Sequence, residues 1–365
     1  MKMKIKIIYG PTKEFNSKIP TKDTISLSEM VRWSDARRSN PIEDELIGTY
    51  RYLTVTTEEY GGVTDAFIER FIISILIYQN YLGYTEILLH NPPNSIYNQI
   101  QIYKDHFKLS IQHWSYPKTT KNALKLIKEN FDEKILGQSQ VKTEVLTALY
   151  DLTNNQDSKP KIIMLYGPPG VGKTETAYFI NQAINEDNNI LRKQFSMFHN
   201  DSFYSYIFGD RTNSFAKDLI DRESNIILLD EFDKCNKVFF SAFYQVFDEG
   251  IYEDKYYKVN LQNAIILCTS NYVSEADIRK NLGEAIFSRF DSFIGFQQFP
   301  DIIKEKLIDR IYGEEINKYS EEEIEIISKS NIPDLLKQHL SVINNARDIR
   351  RYLKQMIATP LIEYI

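Results

Sequence analysis

Cysteine is nearly absent: only Cys235 and Cys268 occur among 365 residues. Two thiols cannot form a disulfide framework, and both fall in segments that read as buried core, so they are expected to be unpaired packing residues in a reducing compartment. Positive charge is also short, with 44 Lys and Arg against 50 Asp and Glu and a net charge of -6. A protein held to nucleic acid by phosphate contacts needs the opposite balance. Long apolar runs are missing too. The longest, FIISILIY from Phe71 to Tyr78, adjoins Glu69 and Arg70 and falls far short of the roughly 20 residues that span a bilayer. The opening MKMKIKIIYG alternates lysine with methionine and isoleucine, the pattern of a strand rather than a signal peptide, which predicts a cytoplasmic protein. No internal repeat or low-complexity tract is evident.

What is present is a chain of 42% hydrophobic and 13% aromatic residues, long enough for two or three domains. Residues 1–117 read as a small α/β domain. Its signals are a first strand, an apolar helix over Val63 to Leu82, a strand at TEILLH, a helix at SIYNQIQIYKDHF and a strand at LSIQHW. The stretch IIYGPTKEF matches a phosphate loop for four residues but lacks the second glycine and the Gly-Lys-Ser/Thr ending, so it reads as an ordinary exit from a strand. Tyr116 to Lys121 is a polar break that serves as a linker. Residues 122–300 alternate helix and strand in the order of a doubly wound parallel sheet. Residues 301–365 turn helical, and Ser320 and Glu323 have capping-box spacing. The predicted fold is therefore α/β, a doubly wound parallel-sheet core with a small helical lid, preceded by a smaller α/β domain.

The chemistry lies in the second of these. KIIMLYGPPGVGKTET is a buried strand followed by Gly167, Pro168, Pro169, Gly170, Val171, Gly172, Lys173 and Thr174, with Glu175 continuing into a helix. This is a phosphate loop in its required context. Glycines let backbone N–H groups close around phosphates, and the positive helix end favours an anion there. Lys173 would reach the outer phosphates, and the Thr174 hydroxyl would hold Mg²⁺. A second apolar strand, NIILLDEFDK, ends in Asp230 and Glu231. Asp230 would hold the metal through water and Glu231 would polarise the attacking water, which predicts hydrolysis of ATP and not binding alone. Asn271, at the end of the strand NAIILCTSN, could reach the γ-phosphate, and Arg289 and Arg347 could stabilise charge during phosphoryl transfer.

From Asn122 onward the chain resembles an AAA+ ATPase, in particular the Clp-type unfoldases and the torsins. The resemblance rests on ILGQSQVKTEVLTAL, LLDEFDK, VFDEGIYED, CTSN, FSRFD and NARDIRRYL together with the phosphate loop. It implies that Ile135 and Leu136 line the adenine pocket, that Asn271 and Arg347 are the first and second sensors, and that Arg289 is a finger reaching a neighbouring subunit's nucleotide. That last role implies a homo-oligomer, a hexameric ring or a helical assembly. Where Clp proteins usually have Gly-Ala-Arg, this chain reads Asn-Ala-Arg, which puts the start of that helix in question.

Clp-type unfoldases carry a glycine-flanked aromatic insertion before the second half of the site. The aromatic stretch Phe198 to Phe215 runs through without one, as torsins do, although Lys173-Thr174, Arg289 and Arg347 are retained. Tyr204, Tyr206 and Phe208 are expected to pack as a wall, Phe208 most firmly. EGIYEDKYYKVN places Tyr252, Tyr256 and Tyr257 where a second polypeptide-contacting loop would lie. The leading expectation is an ATPase that remodels a protein partner bound through residues 1–117. Its rivals are a nucleotide-state switch that threads nothing and a DNA-associated loader, the latter disfavoured by the acidic balance.

Overall fold

The computed structural model describes residues 2–39, 49–154, 159–186, 189–197 and 201–364. Two five-stranded parallel sheets organise them. The first holds β1 (Met3–Tyr9), β2 (Thr24–Ser26), β3 (Tyr52–Val55), β4 (Glu86–His90) and β5 (Phe107–His113) in the order β2-β3-β4-β1-β5. The second holds β6 (Lys161–Tyr166), β7 (Leu191–Gln194), β8 (Ile226–Asp230), β11 (Ile265–Ser270) and β12 (Ser292–Gly295) in the order β12-β6-β11-β8-β7. Between β8 and β11 the chain forms an antiparallel hairpin of β9 (Ile251–Glu253) and β10 (Lys258–Asn260).

The sequence pattern explains which strands lie where. In β1 the alternation seen in the sequence buries Met3, Ile5 and Ile7 and leaves Lys4 to pair across the sheet with Glu86 at 2.9 Å. β8 and β11 are apolar without alternation and buried along their whole length, as strands covered by helices on both faces must be. One face of the second sheet shares a core with the helices after Pro300: Ile163 and Leu165 belong to the same cluster as Ile308, Ile349 and Leu353. The other face is aromatic, built on Phe203, Phe232, Phe243 and Tyr252.

Numbered by their order within each unit, both sheets read 5-1-4-3-2 from one edge to the other. The likeness extends to detail. Each first strand leaves through Tyr-Gly-Pro, and Gly10 and Gly167 have φ of 141° and 136°, open to glycine and strained for other residues. After each last strand a backbone N–H donates to that tyrosine's carbonyl: Trp114 to Tyr9 at 2.7 Å and Phe296 to Tyr166 at 2.8 Å. A repeat of architecture is thus present, of which the residues show only the shared Tyr-Gly-Pro.

Several expectations need correction. The helix expected over Val63 to Leu82 is two, Asp65–Glu69 and Phe71–Leu82, broken at Arg70, with Thr64 capping the first. β2, β3 and the helix Leu27–Ser39 were not anticipated. Of the aromatic stretch, residues 198–200 lie outside the described residues. Asp201–Phe208 is a helix, and spacing of two along a helix does not share a face. Tyr206 is buried and donates its hydroxyl to Asp218 at 2.6 Å, but Tyr204 and Phe208 are 57% and 36% exposed. Phe208 is therefore not a buried wall; Phe203 and Ile207, both 2% exposed, are. Tyr252 and Tyr257 are also buried. Their hairpin is docked on the first unit, where the Asn94 N–H donates to the Tyr256 carbonyl at 2.8 Å.

Candidate nucleotide site

At the carboxyl edge of the second sheet, the turn after β6 leads into the helix Lys173–Asn185. Gly167 packs so tightly that a Cβ there would lie 2.4 Å from the Phe296 carbonyl oxygen. Beside the turn is a cleft of about 680 Å³. Pro169, Gly170, Gly172, Lys173, Thr174 and Glu175 line it; Gly167 and Pro168 do not, but their carbonyls accept from Lys173, and Val171 is buried.

Lys173 is 7% exposed. Its ammonium spends its three donors on the carbonyls of Gly167 and Pro168, each at 2.7 Å, and on Asn271 Oδ1 at 3.2 Å. Burial pulls its pKa down to about 8, against the opposing pull of Asp233 and Asp230. β11 lies between β6 and β8, which is why Asn271, just past its end, meets the loop lysine.

Asp230 ends β8 and is buried. One carboxylate oxygen accepts from the Thr174 hydroxyl at 3.3 Å and from the Thr269 hydroxyl. The other is held by Arg192, whose Nε and Nη2 donate at 3.0 and 2.5 Å. Neither Arg192 nor Thr269 was singled out in the sequence; the only signal for Arg192 is a charge within the short strand LRKQ next to β8. The next residue, Glu231, sits in the left-handed region at φ 55° and ψ 45°, uncommon for a residue with a Cβ and a conformation that clusters at functional sites. Its N–H donates to Thr269 Oγ1 at 2.9 Å. The Glu231 side chain lines the cleft with no hydrogen bond or ion pair among the described residues.

Arg347 reaches the cleft from the helix Ala346–Tyr364. Asn345 caps that helix: its Oδ1 accepts from the N–H groups of Arg347 at 2.9 Å and Asp348 at 3.1 Å, the geometry that makes Asn a strong N-cap. The Ala346 N–H donates to the Gly170 carbonyl at 3.2 Å, tying the helix to the phosphate loop. Asn in place of Gly thus secures the helix start. Arg350, Arg351 and Lys354, further along the same helix, also line the cleft and were not foreseen.

Two expected groups lie elsewhere. Ile135 is buried against Gly172, and neither it nor Leu136 lines this cleft. Arg289 is outside it, held by Asp248 with Nε at 3.0 Å from both carboxylate oxygens and with its guanidinium 4.5 Å from the Tyr244 ring.

Residues 159–340 match the family model of the AAA domain (Cdc48 subfamily). This part of the chain belongs to the AAA+ family. Chaperone protein ClpB of Clostridium tetani is 24% identical over 296 residues, which cover 70% of this chain and 34% of that one. ClpB of Chlamydia caviae is 30% identical over 167 residues, 42% of this chain and 19% of its own. Lon protease of Cytophaga hutchinsonii is 30% identical over 239 residues, 62% and 26%. The chain therefore spans about a third or less of the length of these relatives. Within it Asp233 is a further addition to the motif residues. One of its oxygens is buried without a partner among the described residues, and with Asp230 its carboxylate opposes the effect of burial on Lys173. Cys235 and Cys268 are free and buried, and burial pushes the Cys235 thiol up to about 12.

Proposed function

We propose that the chain is a Mg²⁺-dependent ATPase that works as an oligomer to remodel a protein partner. Residues 1–117 would recognise the partner, 122–300 would bind the nucleotide and 301–365 would act as the lid. The observation that carries this reading is the convergence of Lys173, Asp230, Glu231, Asn271 and Arg347 on one cleft from separate elements. Lys173, now satisfied by loop carbonyls, would exchange them for phosphate oxygens. Asn271 would follow it and sense the γ-phosphate. Glu231, with a free carboxylate, would take a proton from the attacking water. Arg347 would report nucleotide state to the lid.

The donor set fits Mg²⁺, which takes oxygen ligands and is commonly held by one or two protein groups plus substrate phosphates. Thr174 and the Asp230 oxygen not taken by Arg192 would hold it. Among the described residues no cluster of three His, Cys, Asp or Glu offers an all-protein cage. Bound there, the metal would neutralise charge on the phosphates. Arg289, outside its own chain's cleft, suits a role in a neighbour's, for which it would have to leave Asp248. Among the described residues no helix is long and apolar enough to cross a membrane; a cytoplasmic location remains part of this proposal.

The switch remains as a second reading because the β9–β10 hairpin, where a polypeptide could be gripped, is docked on the first unit with Tyr252 and Tyr257 buried. Tyr204 and Phe208, tilted against each other with ring centres 4.5 Å apart and exposed, favour polypeptide contact instead.

The test is phosphate release and ATP calorimetry on Glu231→Gln, Arg289→Ala and their mixture. Glu231→Gln should bind ATP and turn it over about a hundredfold more slowly, the range of a lost general base. The mixture should recover activity that neither variant has alone. Unchanged turnover in Glu231→Gln would remove the catalytic assignment, and full activity of Arg289→Ala would remove the shared site.

A further inference from the structure

Between the two sheets lies another cavity, of about 560 Å³, which the ATPase reading leaves unused. It sits beyond the carboxyl ends of β1, β4 and β5, at the point where the strand order of the first sheet reverses. Open α/β sheets bind their ligands in that crevice, and the volume is within the range of small-molecule sites.

Its chemistry is one-sided. Although the chain carries a net charge of -6, no Asp or Glu is found among the described residues that line the cavity, while Arg222, Lys118 and Lys258 are, the last also pairing with Glu253 at 3.4 Å. Aromatic rings of Tyr9, Trp114, Tyr116 and Tyr257 supply much of the wall.

Arg222 makes the case. It is 5% exposed, lies 4.1 Å from the Tyr116 ring centre and has no carboxylate within ion-pair distance among the described residues. Its Nη groups donate to the Leu219 carbonyl, to Asn225 Oδ1 and, at 3.5 Å, to the Asn260 carbonyl, and its Nε–H has no partner among the described residues. Hydrogen bonds to neutral groups satisfy donors but leave a buried cation without counter-charge, which is strongly unfavourable. Trp114 Nε1 and the Tyr257 hydroxyl are likewise buried and unpartnered. An anion beside Arg222, attached to a planar ring that can stack on the aromatic wall and accept from Trp114, resolves the first two of these deficits.

We infer that this cavity binds a mononucleotide-sized ligand, a planar ring bearing a phosphate, clamped between the amino-terminal unit and the ATPase unit. The phosphate lies on the Arg222 and Lys258 side and the ring against Trp114 and Tyr9. The site is separate from the phosphate-loop cleft, and its residues come from both units, so its occupancy ties one to the other.

The experiment uses the full chain carrying Lys173→Ala, to silence the ATP cleft, and Trp33→Phe, which leaves Trp114 as the one tryptophan of two. AMP, GMP, CMP and UMP are titrated singly while Trp114 fluorescence and heat are recorded. At least one should bind saturably and change the fluorescence. Lys258→Glu, an exposed position, should weaken that binding at least about tenfold, equivalent to 1.4 kcal/mol, and Arg222→Gln should abolish it. The corresponding nucleoside and ribose 5-phosphate, each lacking half of the ligand, should bind more weakly. No fluorescence change with any of the four nucleotides would overturn the inference. So would binding that survives Lys258→Glu unchanged, which decides the matter even if Arg222→Gln does not fold. Inorganic phosphate binding as tightly as the nucleotides would overturn the assignment of a ring to the aromatic wall, and the ligand class with it.

Discussion

The two sheets have the same strand order, the same Tyr-Gly-Pro exit from the first strand and the same backbone bond closing that exit, yet only one carries a phosphate loop. In the second sheet the turn is long enough to circle an anion and ends in Lys173, and the residue after the fourth strand, Asn271, accepts from that lysine. In the first sheet the corresponding position is Asn91, and it closes on the turn itself: its Oδ1 accepts from the Gly10 N–H and its Nδ2 donates to the Gly10 carbonyl, both at 2.9 Å. His90 bonds the same carbonyl at 2.8 Å. The Thr12 N–H and hydroxyl both donate to Asp221 of the ATPase unit, at 2.6 and 2.8 Å. One architecture thus borders an open cleft in the second sheet and forms a docking joint in the first, where the N–H groups of Gly10 and Thr12 are occupied by side chains.

That contrast can be broken most severely at the lysines. Lys173→Ala should abolish ATP binding in calorimetry, because the cleft loses the cation that follows the loop glycines. Lys13→Ala, the nearest counterpart in the first turn, should leave ATP binding unchanged. ATP affinity that depends equally on both would mean the two turns are not divided as described.

The faces of the aromatic helix give the next largest effect. Phe203, enclosed by Phe195 and Phe239 with ring centres at 5.7 and 4.3 Å, should cost about 3–5 kcal/mol on truncation to alanine, as buried phenylalanines do. Phe208→Ala should stay within about 0.5 kcal/mol, as exposed positions do, and impair only the handling of a polypeptide. Urea denaturation of the two variants separates the faces.

The joint itself should be worth less. Asp221→Ala removes two hydrogen bonds to a carboxylate and should destabilise the chain by about 1–3 kcal/mol, read as a separate early transition of the first unit in urea.

Smallest is the pH response of that joint. Burial lowers the His90 pKa from its ordinary 6.5, against the opposing effects of its bond to Gly10 and of Glu58, with Lys217 adding to the fall and Asp221 3.9 Å away. Below 6.5 the unfolded chain takes up a proton that the folded chain refuses, so stability declines as pH falls. The slope is at most about 1.4 kcal/mol per pH unit for one such group. His90→Gln should flatten it between pH 6.5 and 5.5.

Much of the nucleotide site was legible because its chemistry depends on residues that are close in sequence. Glycines at set intervals, a lysine and hydroxyl at a helix start, and two carboxylates ending an apolar strand need no knowledge of the rest of the chain. Asn271 and Arg347 were found by their own local contexts, the end of a strand and the start of a helix. Arg192, Thr269 and Asp233 were not, because each owes its place to which strand or turn lies beside β8. The amino-terminal unit was read as α/β, but its kinship with the ATPase sheet was hidden: the repeat lies in strand order, which the residues do not spell out.

By itself, then, the sequence determined the phosphate-loop motif, the existence of a parallel-sheet core and the helical ending, since strand and helix periodicity and the spacing of that motif are local properties. Tertiary structure decided which aromatics are wall and which are surface, because helical geometry divides Tyr206 from Tyr204 and Phe208. It decided that Arg289 rests on Asp248 and that the hairpin's Tyr252 is buried against Phe215, its hydroxyl donating to the Ile207 carbonyl. It also placed Arg222 without a counter-charge among the rings of both units, since a buried charge is defined by what surrounds it, and those neighbours are brought from Tyr9, Trp114 and Tyr257, far apart in the chain and adjacent only once both sheets are folded and docked.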